Sequence, residues 1–324
     1  MKLFLFSVCL VFLFQYTNVM THKLTFITGM FIGNSPHSKY SNYFNQTLRT
    51  CAIAQPMILF CDETYVQKFQ DVRNALGYKD ITLVVSLNIQ QLYFYKFKNY
   101  IDKCYKHSPN DNKINATTTL IQLSKFELVY RGIKLNPFNT THFSWIDVNL
   151  LSKYFNNSTN YFEPGIYDKI DAIATNPKNK MTVQLINCWT PQEYASLSQF
   201  GKEYRWIVAG GFYTIDLNTA LFLMPKFIQQ AEDLIHKGFI QNDECIFAFI
   251  IDKYEDYFNY VLGDYQDSIY NYYKIEKNIG HCNFVIQQHL EKGIKERIHK
   301  CLLQYNSNGC LQFEYYLRQL NSIC

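Results

Sequence analysis

Glycine is scarce, 13 among 324 residues, and its placement excludes two large classes of nucleotide chemistry. No G-x-G-x-x-G and no G-x-x-x-x-G-K-[ST] occurs, so the phosphate-cradling loops of Rossmann dinucleotide binders and P-loop enzymes are not written here. A G-x-S-x-G nucleophile elbow and an H-E-x-x-H zinc pair are also missing. None of the ten cysteines forms a C-x-x-C, which removes zinc-ribbon and thioredoxin chemistry. Charge is sparse as well: 18% of residues are charged and the net charge of +4 is dispersed, which is no footprint for nucleic acid. The densest basic run, residues 291–300, is flanked and interrupted by Leu290, Ile294, Ile298 and Cys301 at helical spacing, so its charges form the wet face of an amphipathic helix.

What is present is apolar material. A hydrophobic fraction of 48% is that of a packed chain. At about 150 residues per domain the length allows one large domain or two small ones, and one is the reading preferred here. Tyr and Phe, 26 each, accompany abundant Asn, Ile and Lys and fit a compositional bias better than a stacking surface. At the N-terminus Lys2 precedes an apolar run from Leu3 to Phe14, short of the roughly 20 residues of a membrane span. Residues 1–22 therefore read as a secretory signal or signal anchor, with membrane association through residues 3–20. Five N-x-[ST] sequons begin at Asn45, Asn115, Asn139, Asn156 and Asn157, acceptors for glycans in a secretory lumen. Cys301 and Cys310 either close a short loop around N-S-N-G or remain buried thiols.

From residue 23 short strand-like runs alternate with helix-period segments. Strands are expected over 23–31, 56–61 and 81–86, and helices over 40–54 and 64–77, the latter stopping at Gly77. This β-α-β-α-β order predicts a parallel sheet with crossover helices, and ligands at the carboxyl ends of its strands. A helix over 117–133, strands around 142–147, 181–189 and 205–215, and helices over 225–238 and 243–254 follow. Pro225 suits the first turn of its helix and Gly238 its end. The domain divides softly near 160–180, with a first half over about 23–165, a second over about 166–280 and a helical tail over 281–324.

One acidic residue interrupts the apolar run H-F-S-W-I-D-V-N: Asp147, followed two residues later by Asn149. A carboxylate at a strand's carboxyl end, with an oxygen ligand nearby, suits Mn²⁺ or Mg²⁺ bound together with substrate phosphates. A strand-end cap is the structural alternative. Asp243 and Glu244 open a helix, where the macrodipole favours them, and in a cleft such a group can accept a hydroxyl proton. Gly210 and Gly211, in V-A-G-G-F, either let backbone amides approach a ligand or mark a bulge or turn. Lys125 reaches a phosphate or snorkels at the surface.

Six segments in this order, T-F-I-T-G-M-F, L-I-Q-L-S-K-F-E-L-V, N-P-F-N-T-T-H-F-S-W-I-D-V-N, W-I-V-A-G-G-F-Y-T, N-D-E-C-I-F-A-F-I and Y-V-L-G-D-Y-Q-D-S-I-Y-N-Y-Y, resemble the WlaTC/HtrL (YibB-like) family of glycosyltransferases. The resemblance covers about Leu24 to Tyr273. It implies a GT-A-like α/β fold, a mixed, mostly parallel central sheet flanked by helices, acting on a nucleotide-sugar donor and a glycan or protein acceptor. Under it, Asp147 and Asn149 become metal and donor ligands with Lys125 supporting the leaving phosphate. Gly210 and Gly211 border the acceptor, Asp243 and Glu244 act on its hydroxyl, and Gly263, Asp264 and Tyr265 match a G-D-Y turn. Asn149 stands where the common D-x-D motif has its second aspartate, which leaves room for a further ligand such as His281. Two rivals stand beside this expectation: a non-catalytic sugar- or nucleotide-binding protein on the same scaffold, and a structural secreted glycoprotein.

Overall fold

Strand β1 (Leu24–Met30) is almost entirely buried and β2 (Met57–Cys61) wholly so, the pattern of interior strands covered on both faces. The computed structural model describes residues 22–32, 43–105, 116–151, 166–175, 179–185, 208–239 and 242–262. The leader, the G-D-Y turn, His281, the basic helix near 291–300, Cys301 and Cys310, and the sequons at Asn115, Asn156 and Asn157 lie outside them.

Five further strands complete the sheet: β3 (Thr82–Ser86), β4 (His142–Ile146), β5 (Met181–Leu185), β6 (Val208–Asp216) and β7 (Phe258–Leu262). Their order is β3-β2-β1-β4-β6-β5-β7. β6 runs antiparallel to both neighbours, and all other pairs are parallel. The result is the mixed, mostly parallel sheet flanked by helices that the resemblance implies. Alternation and apolar content do not encode strand direction, so the reversal of β6 was not readable from its residues.

The helices are α1 (Tyr43–Cys51), α2 (Glu63–Ala75), α3 (Lys98–Tyr105), α4 (Ala116–Leu123), α5 (Lys125–Leu135), α6 (Ile166–Thr175), α7 (Leu217–His236) and α8 (Asp243–Tyr254). On one face α5, α7 and α8 meet the sheet through an aromatic cluster. Phe126 of α5 stacks on Phe227 of α7 with centroids 4.4 Å apart, and Phe247 of α8 packs edge-on to Phe126, Phe227 and Tyr213 of β6. Each such ring buried contributes roughly 2–3 kcal/mol. Gly132 lets α5 close on the sheet, since a Cβ there would lie 2.6 Å from Ile27 Cδ1. The opposite face holds Phe26, Met57, Leu59, Phe69, Ile146 and Phe212.

Arg73 of α2 is fully buried. Its guanidinium donates to the carbonyls of Cys51, Ile53 and Gln55 and to Thr82 Oγ1, tying the α1–β2 connection to β3. Burial lowers its pKa to about 10, so it stays charged at neutral pH.

Two helix expectations change. The segment 117–133 forms two helices that meet at Ser124, whose hydroxyl donates to the Leu120 carbonyl and competes with the regular ladder. The second long helix starts eight residues before Pro225, because Asp216 caps it by accepting from the N–H groups of Asn218 and Thr219. Pro225 falls inside α7 on its exposed side, where its missing N–H removes one rung of the helix ladder away from the core. Gly77 and Gly238 do end their helices, at φ of 81° and 78°.

Candidate functional site

The chain leaves the sheet at Asp147. Its N–H still donates to the Gly211 carbonyl (2.8 Å), while its own carbonyl accepts from Leu150 N–H (2.9 Å) and turns the backbone. Asp147 thus stands at the carboxyl end of a central strand that is parallel to β1 and antiparallel to β6, and open α/β sheets gather ligands at such ends. Its side chain is 28% exposed.

One of its oxygens is fully engaged. Trp145, two residues earlier and so on the same face of the strand, donates its indole N–H to Asp147 Oδ1 at 2.8 Å. Lys125 Nζ lies 2.9 Å from that same oxygen. The ammonium also lies 2.9 Å from Asp243 Oδ2 and 3.3 Å from the Gly210 carbonyl oxygen. Three oxygens thus lie within 3.3 Å of the ammonium, two of them from carboxylates. Lys125 is 7% exposed, so it does not snorkel at the surface. Burial works against its charge, but Asp147 and Asp243 outweigh that and raise its pKa. Among the described residues, Oδ2 of Asp147 has no bonded partner.

Packing explains why these groups converge. Lys125 precedes Phe126, and Asp243 lies one turn before Phe247, so the stacking of those two rings brings the ammonium to the carboxylate. The glycine pair provides the room. Val183 of β5 faces Tyr213 and Leu185 faces Val208, so two steps along β5 match five along β6, and the pair lies in this irregularity. Bulges of this kind re-aim side chains beside sites. A Cβ at Gly210 would overlap Asp243 Oδ2 and come within 3.0 Å of Glu244 Cγ; at Gly211 it would lie 3.4 Å from Asp147 Oδ2. Gly210 therefore serves the close approach of the protein's own acidic side chains, whereas at Gly211 the tightest neighbour of the added carbon is Leu150 Cδ1, at 3.1 Å.

Asp243 and Glu244 begin α8 behind the Asn242 cap, whose side chain accepts from Cys245 N–H. They are 2% and 5% exposed. Burial raises the Asp243 pKa while Lys125 opposes the rise. For Glu244, burial and then the neighbouring Asp243 push it to about 8, so it is protonated at neutral pH. Asn242 Nδ2 donates to Glu244 Oε2 at 2.7 Å. The Tyr213 hydroxyl, buried near both aspartates, has no hydrogen-bond partner among the described residues.

The structure thus brings together Lys125, Asp147, Gly210, Gly211, Asp243 and Glu244. Asn149, half-buried, lies in the turn after Asp147. Sequence reasoning missed Trp145, Asn242 and Tyr213. The first two carried a signal: a tryptophan two residues before an acid on a strand shares its face, and an asparagine before an acidic pair is a helix cap. Among the described residues no three His, Cys, Asp or Glu side chains converge as a metal site. By chemistry alone the oxygen donors a hard divalent ion could use here are those of Asp147 and Asn149, with remaining ligands from a phosphate or water.

Residues 22–274 match the model of a family described as "Bacterial protein of unknown function (HtrL_YibB)". No curated protein matches the chain. Among solved structures, the Mn/GDP form of core-mannan synthase A from Aspergillus fumigatus is similar at 10% identity, over 74% of this chain and 72% of that one, with a TM-score of 0.40.

Proposed function

We propose, for a chain that belongs to the HtrL_YibB family, that this site transfers a sugar from a nucleotide-diphosphate donor to a hydroxyl of a glycan or protein on a GT-A-like scaffold. The supporting observation is Asp147 itself: a partly exposed carboxylate at the end of a central strand, clamped at Oδ1 by Trp145 and Lys125 and open at Oδ2. A side chain fixed in this way needs no reorganisation when charge develops beside it. Mn²⁺ or Mg²⁺ would be held by Asp147 Oδ2 and Asn149, and when bound it neutralises charge on a departing diphosphate. Of the acidic pair, Glu244 holds its own proton at neutral pH, which leaves Asp243 to orient or deprotonate the acceptor hydroxyl. The same proposal puts the chain in the secretory pathway, associated with a membrane through residues 3–20. Among the described residues no helix is long and apolar enough to cross one.

The near-complete burial of Asp243 and Glu244 favours a second reading, a sugar- or nucleotide-binding protein without turnover. The deciding experiment measures thermal stabilisation by a panel of nucleotide sugars with and without Mn²⁺, followed by donor breakdown for the stabilising ones. Donor breakdown lost in Asp147→Ala supports transfer, and binding without breakdown supports the second reading. If no nucleotide shifts the melting temperature, both are wrong.

A further inference from the structure

The carboxylate cluster already contains a cation. Lys125 Nζ is held by three protein oxygens, Asp147 Oδ1, Asp243 Oδ2 and the Gly210 carbonyl, in a pocket that leaves the lysine 7% exposed. Three oxygens converging on one positive centre is the arrangement a metal ion would otherwise take, and here a covalently attached ammonium takes it. Among the described residues, a second cation entering from solvent is left with Asp147 Oδ2, beside a fixed positive charge, and with whatever the turn residue Asn149 can add. Trp145 tightens the restriction, because its N–H occupies the lone-pair side of Oδ1 that a bidentate ligand would need.

We propose that Lys125 is a built-in counter-ion that leaves this acidic cluster without a site for a free divalent cation, so that the cation binds only together with a nucleotide diphosphate. This rests on the transfer proposal for the donor class. The diphosphate supplies the missing hard oxygens, and its negative charge offsets the ammonium. Cation and nucleotide affinities are then coupled, and the coupling is reciprocal. Lys125 acts as a positioning residue, since it touches neither cation nor donor.

The test is titration of the full chain with Mn²⁺, followed by paramagnetic resonance of the free ion, alone and in the presence of UDP or GDP. Variants are Trp145→Phe, which deletes one N–H and keeps an aromatic ring, Lys125→Met, and Asp147→Asn to show that the bound ion is at this site. The expected result is that UDP or GDP tightens Mn²⁺ binding by roughly tenfold or more in the wild type. Lys125→Met should bind Mn²⁺ alone more tightly than the wild type, with Trp145→Phe in between. If Lys125→Met fails to fold, the wild type and Trp145→Phe still decide. Mn²⁺ binding at Asp147 that is equally tight with and without nucleotide overturns the inference and leaves the transfer proposal intact. Unchanged Mn²⁺ binding in both Trp145→Phe and a folded Lys125→Met also overturns it. Failure of Mn²⁺ to bind even with UDP or GDP, together with no nucleotide affinity, overturns both.

Discussion

Lys125 and Asp147 meet at 2.9 Å across the join between the start of α5 and the end of β4, and the same ammonium reaches Asp243 at the start of α8. Removing one partner of such a buried pair strands the other in a poorly hydrated interior. Lys125→Met should therefore lower stability by about 3–5 kcal/mol. In a double-mutant cycle with Asp147→Asn, the pair should show a coupling of about 0.5–3 kcal/mol by urea denaturation. Additive losses would mean that the contact does not hold the site together.

Gly210→Ala places a methyl group where the Asp243 carboxylate lies. A loss of about 1–3 kcal/mol is expected from overpacking. If the site is catalytic, turnover should fall further than stability, because the displaced group is Asp243. Gly77→Ala, where nothing lies within reach of the added carbon, separates these effects: it strains only a residue at φ of 81° and should leave ligand binding unchanged.

Glu244 makes stability depend on pH in a particular direction. Its pKa is about 8 in the folded chain against an ordinary 4.5, so between those values the folded state binds the extra proton. Stability should fall as pH rises from about 4.5 to about 8 and then level off. Asp243, Lys125 and Asp147 surround the group and set the steepness. Glu244→Gln, neutral at every pH, should flatten the melting-temperature profile across this window, and an unchanged slope would show that another group titrates there.

Arg73→Met leaves the carbonyls of Cys51, Ile53 and Gln55 without their donor. Each orphaned buried acceptor costs about 1–3 kcal/mol, so this single change should rank among the most destabilising in the first half of the chain. Thermal denaturation measures it. The site itself, at β4 and β6 in the middle of the sheet, should keep its ligand affinity wherever the protein remains folded.

Much of the frame was legible because strands buried on both faces must be apolar throughout. The runs around Phe26 and Leu59 became β1 and β2, the half-buried run around Val84 became β3 at the sheet's edge, and α8 spans the expected Asp243–Tyr254. Asp147 was legible for the converse reason, as a charge in an apolar run needs a purpose. Lys125 was legible as a candidate, but its partners were not. Its neighbours along the helix say nothing about the carboxylates of β4 and α8, which only tertiary packing brings near. Gly210 and Gly211 were readable as a place needing room, but what fills the room lies 33 residues further on in the case of Gly210 and Asp243. Pro225 misled because the capping aspartate that starts α7 stands outside the window in which a proline marks a beginning.

The site draws on residues 125, 145, 147, 210, 243 and 244, from four separate elements of the sheet and its helices. Contacts of such wide sequence separation form late, after long loops have closed. A fragment that stopped after β4 would carry Asp147, Trp145 and Lys125 but lack the partner that shares the ammonium. Assembly of the acidic cluster is therefore coupled to docking of α8, and any condition that detaches this helix dismantles the chemistry before it dissolves the parallel strands.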